Sequence, residues 1–126
     1  MKKELLIQYE EFDDFKSLLK SEIKLMDKAM SALNNAYAPY SEFNVGSAVL
    51  LSNKVIVAGN NQENSSFPCG ICAERVALFS AQSTYPDAII QTIAITANSK
   101  NFDLNYPAGP CGLCRQVLIE YEEKQG

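Results

Sequence analysis

Four cysteines stand in two C-x-x-C pairs, and a glutamate closely follows one of the pairs. Cys69 and Cys72 lie in "FPCGICAER", and Cys111 and Cys114 lie in "GPCGLCRQ". Thiolates bind Zn²⁺: four of them close a structural site, whereas three leave a coordination position for water. Glu74, just after Cys72, has no use in a closed site but is suited to proton transfer at an open one. The pairs therefore predict either a closed structural knot or an open catalytic centre with Cys69 left over.

The same cysteine pairs could form disulfides in a secreted protein. The N-terminal stretch "MKKELLIQYEEFDDF" begins basic, soon becomes acidic and contains no small-residue cleavage site, so it does not match a signal peptide. In a reducing compartment, paired C-x-x-C motifs bind metal more often than they form disulfides. We therefore predict a metal site and a cytoplasmic location.

Charge and composition narrow the classes of ligand. The net charge is −4 and the chain has no histidine. An acidic chain repels phosphate backbones, so a nucleic-acid polymer is not expected as a partner, whereas a free nucleoside or another small uncharged ligand remains possible. Acid–base chemistry must come from Asp, Glu, Lys, Tyr or Cys. No apolar run approaches the ~20 residues of a membrane span, so no membrane partner is expected.

The elements that must position these residues follow from hydrophobic periodicity. An apolar stripe over residues 14–36 predicts an amphipathic helix. Asp13 or Asp14 can cap its start, and Asn34-Asn35 marks its end.

Further helices and strands alternate along the rest of the chain, and together they predict one α/β layered domain over residues 1–126. The predicted elements are an edge strand at 4–8, a hairpin of "SAVLLS" and "VIVAGN" around Asn53-Lys54, a helix from Ile71 to Gln82, a strand at 92–97, and a helix from Pro110 to about Glu122.

Three of the cysteines fall at predicted helix starts. Cys111 and Cys114 are spaced so that both sulfurs lie on one helix face. Cys72 lies in the first turn of its own helix. Helix N-termini favour thiolates because they carry partial positive charge and free N–H groups. Two such helix starts that converge on one cation would form a thiolate cage.

The motifs extend well beyond the cysteines. "CAER" (72–75) and "PCGLCRQ" (110–116) match the zinc-deaminase signature, with cysteine in place of its usual histidine. With "AYAPYSEFNVGSAVL" (36–50) and "NNQENSS" (60–66), the chain resembles the small nucleoside cytidine deaminases of the three-cysteine type, over about residues 27–121. The resemblance implies a three-layer α/β/α sandwich with a mixed sheet. Because that family continues past the last helix with further strands, it also implies that the last strands are missing here.

The resemblance implies a role for each matching residue. Glu74 would take a proton from the attacking water and deliver protons to the ring nitrogen and the departing amine. The other implied roles are zinc ligation by Cys72, Cys111 and Cys114 with one ion per subunit, hydrogen bonds to the ribose hydroxyls from Asn61 and Glu63, contact of Phe43 with the base or sugar, a hydrogen bond from the Ala73 N–H to the base carbonyl, and charge withdrawal from the sulfurs by Arg75. Arg115 is left open between a sulfur partner and a surface salt bridge.

The function implied by the resemblance is hydrolysis of cytidine or 2′-deoxycytidine to the uridine form with release of ammonia, a reaction of pyrimidine salvage. It also implies a homotetramer, or a dimer if the chain is truncated. One alternative is a deaminase of a modified nucleoside or a cytosine-bearing antibiotic. Another is a non-catalytic four-cysteine zinc module, which would need Cys69 as a ligand. A nucleic-acid editing deaminase is disfavoured by the acidic charge.

Overall fold

The computed structural model describes all 126 residues, with helices and strands interleaved as predicted. No helix combines the length and apolar character that a membrane crossing requires. Single 3₁₀ turns occur at Phe15–Ser17 and Phe67–Cys69. The main elements are α1 (Lys20–Leu33), β1 (Phe43–Leu51), β2 (Ile56–Asn60), α2 (Ala73–Thr84), β3 (Ile90–Ser99) and α3 (Gly112–Gln125).

The three strands form one sheet in the order β2-β1-β3. β1 and β2 form the predicted hairpin, in which Leu50 pairs with Ile56 and Lys54 adopts the left-handed conformation (φ 70°) that a tight turn requires. On its other side β1 pairs with β3, from Phe43 opposite Ser99 onward. β1 is therefore the central strand and β3 has one unpaired edge.

The expectation of a mixed sheet is corrected by the structure. Both strand pairs are antiparallel, and the only parallel pairing is an isolated bridge between Tyr37 and Gln62 outside the strands. A parallel neighbour for a strand requires a crossover connection, usually a helix. α2 is such a crossover between β2 and β3, which run in the same direction, but these two strands lie on opposite sides of β1 and do not pair with each other.

Alternate side chains of β1 point to opposite faces of the sheet and meet different helices. Ala48 packs against Leu25 and Ala29 of α1. Val49 packs in a second cluster with Leu78 of α2. The partly buried residues of α3 that pack against this second cluster are Val117, Leu118 and Tyr121. The three-layer α/β/α arrangement is therefore confirmed, with α1 on one face and α2 and α3 on the other.

Two glycines allow the helices to approach the sheet closely. A Cβ atom at Gly46 would lie 2.0 Å from the Ala29 carbonyl oxygen of α1. A Cβ atom at Gly59 would lie 2.6 Å from the Ala77 nitrogen of α2. Such distances exclude any side chain, so the seating of α2, which carries Cys72 at its start, depends on the missing Cβ at position 59.

The start of α1 differs from the prediction. Asp14 caps the short 3₁₀ turn through a bond from the Lys16 N–H to its Oδ1 (2.9 Å), and α1 itself begins only at Lys20. There the Glu22 carboxylate accepts a hydrogen bond from the Leu19 N–H (2.9 Å). The apolar spacing in the sequence continues through Phe15–Ser17, but capping by Asp14 makes these residues a separate short turn and not part of α1. The edge strand predicted at 4–8 is also wrong, because these residues lie exposed and unpaired.

Both ends of α3 lie beyond the predicted ones. The helix begins at Gly112 with Cys111 as its N-cap, so Pro110 precedes the helix instead of opening it. It runs on to Gln125, whose side-chain amide bonds both backbone groups of Ile90. The Ile90 N–H donates to Gln125 Oε1 (2.8 Å), and Gln125 Nε2 donates to the Ile90 carbonyl (3.1 Å). The end of α3 is thereby attached to the start of β3.

Candidate metal centre

Three of the four cysteines come together in the structure. The sulfur atoms of Cys72, Cys111 and Cys114 all lie within 4.8 Å of one another. The Cys72 and Cys111 sulfurs are 3.7 Å apart, and those of Cys111 and Cys114 are 3.5 Å apart. Free thiols at these separations form a compact donor set on two helix starts.

This donor set fits a zinc ion. Tetrahedral Zn²⁺ with Zn–S bonds of about 2.3 Å places its sulfur ligands roughly 3.8 Å apart. The two measured sulfur separations, 3.7 and 3.5 Å, are close to that value. Cys69 is exposed, lies in the 3₁₀ turn before α2 and is not part of the cluster. The geometry therefore matches an open three-thiolate site and not a closed four-cysteine one.

The cysteines owe their positions to the starts of two helices. Cys72 and Cys111 are the N-cap residues of α2 and α3, both with extended backbone angles. The Cys111 sulfur accepts a hydrogen bond from the Cys114 N–H (3.5 Å). Free N–H groups at a helix start stabilise negative charge on sulfur. The prediction that two helix starts converge on one site is confirmed.

The local surroundings shift the pKa values of two of the thiols in opposite directions. The Cys114 N–H lowers the pKa of Cys111, against a smaller opposing effect of burial. Burial raises the pKa of the Cys114 thiol to about 12. A metal ligand must be the thiolate, so a cation that binds here displaces the Cys114 proton.

Glu74 lies in the first turn of α2, two residues after the N-cap Cys72. It is only 5 % exposed, and its carboxylate forms no hydrogen bond with another residue of the chain. Its negative charge lies near enough to the cluster to oppose ionisation of Cys114. A buried carboxylate with free acceptor positions beside a metal site is equipped to accept and return a proton.

The two arginines next to the motifs behave differently. Arg75 Nη2 donates to the Cys72 sulfur (3.6 Å). Its pKa is raised: burial opposes the charge, but hydrogen bonds to the sulfurs of Cys72 and Cys114 outweigh that effect. Arg115 instead donates from Nε to the Pro110 carbonyl (3.0 Å). Of the two arginines, Arg75 is therefore the one that bonds the cluster, and Arg115 braces the turn before α3.

Ala73, the first residue of α2, is fully buried. The N–H groups of the first helical turn have no carbonyl partner within the helix. The Ala73 N–H is therefore available as a donor next to the cluster, as the resemblance implies.

Asn61 is nearly buried, and its amide holds the start of β1. Its Oδ1 accepts a hydrogen bond from the Val45 N–H (2.8 Å), and its Nδ2 donates to the Phe43 carbonyl (2.9 Å). An amide has two donor hydrogens and two acceptor lone pairs, so one of each remains. Asn61 therefore has a structural role, and it keeps one donor for a ligand.

Glu63 is bonded to the loop before β1. Its Oε1 accepts from the N–H groups of Tyr40 (3.0 Å) and Ser41 (3.1 Å), and its Oε2 accepts from the Ser41 hydroxyl. Burial opposes ionisation, but these donors hold the pKa of Glu63 below its usual value. Glu63 is thus a fixed carboxylate that is ionised at neutral pH.

Phe43, the first residue of β1, meets an aromatic ring that the sequence did not indicate. The centroids of the Phe43 and Phe102 rings lie 6.2 Å apart, with an angle of 25° between the ring planes. Phe102 belongs to the loop between β3 and α3, where no periodicity marks its position. Ser41 was missed as well, because one serine in a polar loop carries no signal of its partner.

The fold and the cluster together define a metal-binding α/β sandwich with a buried carboxylate beside three thiols. Residues 19–125 match the family described as "Cytidine and deoxycytidylate deaminase zinc-binding region", and the chain belongs to this family. The predicted resemblance is therefore confirmed.

Curated relatives point the same way. The chain is 42% identical over 96 residues to a cytidine deaminase of Halalkalibacterium halodurans, a match that covers 76% of this chain and 68% of that protein. It is 39% identical over 100 residues to a cytidine deaminase of Sporosarcina psychrophila, covering 78% of this chain and 68% of the relative. Each match thus covers about two thirds of the relative's length.

Solved structures share the fold. The crystal structure of cytidine deaminase from Burkholderia pseudomallei has a TM-score of 0.66 and 38% identity, covering 76% of this chain and 72% of that one. That of cytidine deaminase from Mycobacterium tuberculosis has a TM-score of 0.67 and 35% identity, covering 78% and 75%. The α/β deaminase fold is therefore shown for this chain.

Proposed function

We propose that this chain hydrolyses cytidine and 2′-deoxycytidine to uridine and 2′-deoxyuridine, with release of ammonia. The observation that carries the proposal is the three-sulfur cluster of Cys72, Cys111 and Cys114 beside the buried, unpartnered carboxylate of Glu74. Membership of the deaminase family and cytidine deaminase relatives at 42% and 39% identity support it.

The metal assignment follows from the donor set. Cys72, Cys111 and Cys114 would hold one Zn²⁺ per subunit, and thiolate is a ligand that zinc prefers. When bound at an open site of this kind, zinc supplies a Lewis acid that brings the ionisation of water close to neutral pH. Three thiolates around Zn²⁺ leave a net charge of −1, which works against that ionisation. Arg75, hydrogen-bonded to the Cys72 sulfur, would offset it by withdrawing charge.

The protein groups would divide the proton transfers and the binding of the base. Glu74 would accept a proton from the attacking water and deliver it to the ring nitrogen. It would then carry the second proton, from the newly formed hydroxyl group, to the amine that leaves as ammonia. The Ala73 N–H would donate to the carbonyl oxygen of the base and so fix the orientation of the ring. One water enters and one ammonia leaves per turnover, so Glu74 returns to its starting state.

A nucleoside suits the site better than a nucleotide or a polymer. Glu63 offers an ionised carboxylate, which accepts from a sugar hydroxyl but repels a phosphate. Asn61 keeps one free donor hydrogen, which would bond a hydroxyl of the same sugar. The net charge of −4 works against long phosphate backbones. Phe43, at the start of β1, would lie against the base or the sugar.

Assembly and location are part of the proposal. We infer a homo-oligomer, with a tetramer as the expected form, and a role in pyrimidine salvage in the cytoplasm. Support for assembly comes from large apolar side chains left exposed on α2 and α3, namely Phe79, Leu113 and Ile119. Light scattering of the purified chain measures the assembly directly, and a strict monomer would contradict it.

The decisive experiment measures zinc content and ammonia release on the same purified sample. We expect one zinc per chain and uridine formation from cytidine at a rate well above that with cytidine 5′-monophosphate. A cytosine-containing oligonucleotide should remain unchanged. Zinc binding without turnover of any cytosine nucleoside would instead favour a structural zinc module.

A further inference from the structure

Ser41 is the one residue that bonds both Glu63 and Phe43. Its hydroxyl donates to Glu63 Oε2 and accepts a hydrogen bond from the Phe43 N–H (3.1 Å). The Ser41 backbone N–H adds a bond to Glu63 Oε1 (3.1 Å). The carboxylate and the first residue of β1 are therefore held in a fixed relation by a single side chain.

The bonds on Glu63 leave little freedom for a ligand. An ionised carboxylate has about four acceptor sites. Tyr40 and Ser41 occupy three of them through two N–H groups and one hydroxyl. One acceptor position remains, on Oε2. The hydrogen bond from the Ser41 hydroxyl fixes the direction of this position, which can accept a hydrogen bond from a donor such as a sugar hydroxyl.

We propose that Ser41 is a positioning residue for sugar recognition, which presents the last acceptor position of Glu63 to a ribose or deoxyribose hydroxyl. The inference rests on the proposed function, because it requires Glu63 to bind the sugar of a nucleoside. Ser41 itself does not touch the reacting atoms. Its effect is on substrate binding and reaches the sugar through Glu63.

Backbone hydrogen bonds join the segment at Tyr37 to the segment that carries Asn61 and Glu63, and they do not involve the Ser41 hydroxyl. The Tyr37 N–H donates to the Asn61 carbonyl (2.9 Å), and the Glu63 N–H donates to the Tyr37 carbonyl (2.8 Å). Ser41 is exposed, so its replacement leaves no cavity in the core. The Ser41→Ala variant should therefore fold and lose only the hydroxyl bonds.

The experiment compares Ser41→Ala and Ser41→Thr with the wild type on two substrates. For cytidine, Ser41→Ala should raise KM about tenfold with kcat nearly unchanged, because one charge-assisted hydrogen bond that orients Glu63 is lost. For 2′,3′-dideoxycytidine, which lacks both ring hydroxyls, KM should not respond to the substitution. Ser41→Thr keeps the hydroxyl and should restore most of the cytidine KM. Zinc content and circular dichroism serve as controls for folding.

A double-variant comparison separates action through Glu63 from a general structural effect. The combination of Ser41→Ala with Glu63→Ala should be no worse for cytidine than Glu63→Ala alone. An unchanged cytidine KM in Ser41→Ala, an equal loss on the dideoxy substrate, or additive losses in the double variant would each overturn the proposal. If Ser41→Ala were to lose zinc or helical signal, the same comparison would be made with the isosteric Ser41→Cys.

A binding measurement distinguishes failure of the proposed function from failure of the inference about Ser41. If the wild type does not deaminate cytidine, the proposed function fails, while calorimetric binding of uridine still tests the role of Ser41. Weaker uridine binding by Ser41→Ala, with unchanged binding of 2′,3′-dideoxyuridine, would support the inference in that case. Equal binding of uridine by both proteins would overturn it.

Discussion

The sulfur atoms of Cys72 and Cys111 lie 3.7 Å apart although the two cysteines are 39 positions apart along the chain. Each cysteine is an N-cap, so the contact joins the starts of α2 and α3. The chain between them contains β3, which pairs with β1 and brings the two helices to the same face of the sheet. The metal centre is therefore a product of the sheet topology and of two helix starts.

The two exposed cysteines provide a matched pair of variants. Cys69→Ser should keep one zinc per chain and near wild-type turnover, because Cys69 lies outside the sulfur cluster. Cys111→Ser removes a cluster sulfur and should lose most of the zinc and all measurable deamination. Atomic absorption on both purified variants makes the comparison. Loss of zinc in Cys69→Ser would show a four-cysteine site.

Replacement of Glu74 separates chemistry from metal binding. Glu74→Gln removes the proton-transfer group but keeps its shape, so kcat should fall by about 10²-fold to 10⁴-fold. Zinc content should stay at the wild-type value because Glu74 is not in the sulfur cluster. Exposed Glu120 on α3 supplies the control Glu120→Gln, which should match the wild type. Normal turnover by Glu74→Gln would contradict the acid–base assignment.

The different contacts of the two motif arginines predict different effects of the same substitution. Arg75→Gln removes the donor to the Cys72 sulfur and should reduce zinc affinity or kcat about 10-fold to 100-fold. Arg115→Gln removes a bond to the Pro110 carbonyl and should change kcat much less. Steady-state kinetics and a competitive zinc chelator measure both quantities. Equal losses in the two variants would argue against a special role of Arg75.

The affinity for zinc should rise with pH, and it should continue to rise at pH values at which an ordinary thiol is already ionised. The pKa of Cys114 is raised to about 12 by burial, so below that pH the proton must leave when the metal binds. Each displaced proton strengthens apparent binding about tenfold per pH unit. Competition titrations from pH 6 to 9.5 should therefore show no plateau. A plateau near pH 9 would mean that Cys114 titrates like an exposed thiol.

Much of the metal centre could be predicted because its signals are local. The spacing of Cys111 and Cys114 puts both at one helix start, and Cys72 precedes a helical apolar pattern. The separation of Cys69 from the cluster could not be derived from spacing, since the two C-x-x-C pairs look equivalent. The 3₁₀ turn at Phe67–Cys69 decides it, and no hydrophobic period marks such a turn.

The contacts of the proposed substrate-binding residues were harder to predict from the sequence. Asn61 and Glu63 were singled out only through the family resemblance, and their bonds to the backbone of β1 and of the preceding loop were not foreseen. Such bonds join residues about 20 positions apart, and local propensity does not report on them. The same holds for the contact between Phe43 and Phe102.

The paired hydrogen bonds between Gln125 and Ile90 affect how the protein responds to loss of metal. α3 is held at its start by the cysteine cluster, along its length by the packing of Val117, Leu118 and Tyr121, and at its end by this amide, so loss of a bound metal ion would release only its start. Amide hydrogens near Gly112 should then exchange with solvent first, while the N–H of Ile90 stays protected. Metal depletion thus loosens the catalytic end of the helix before it loosens the fold.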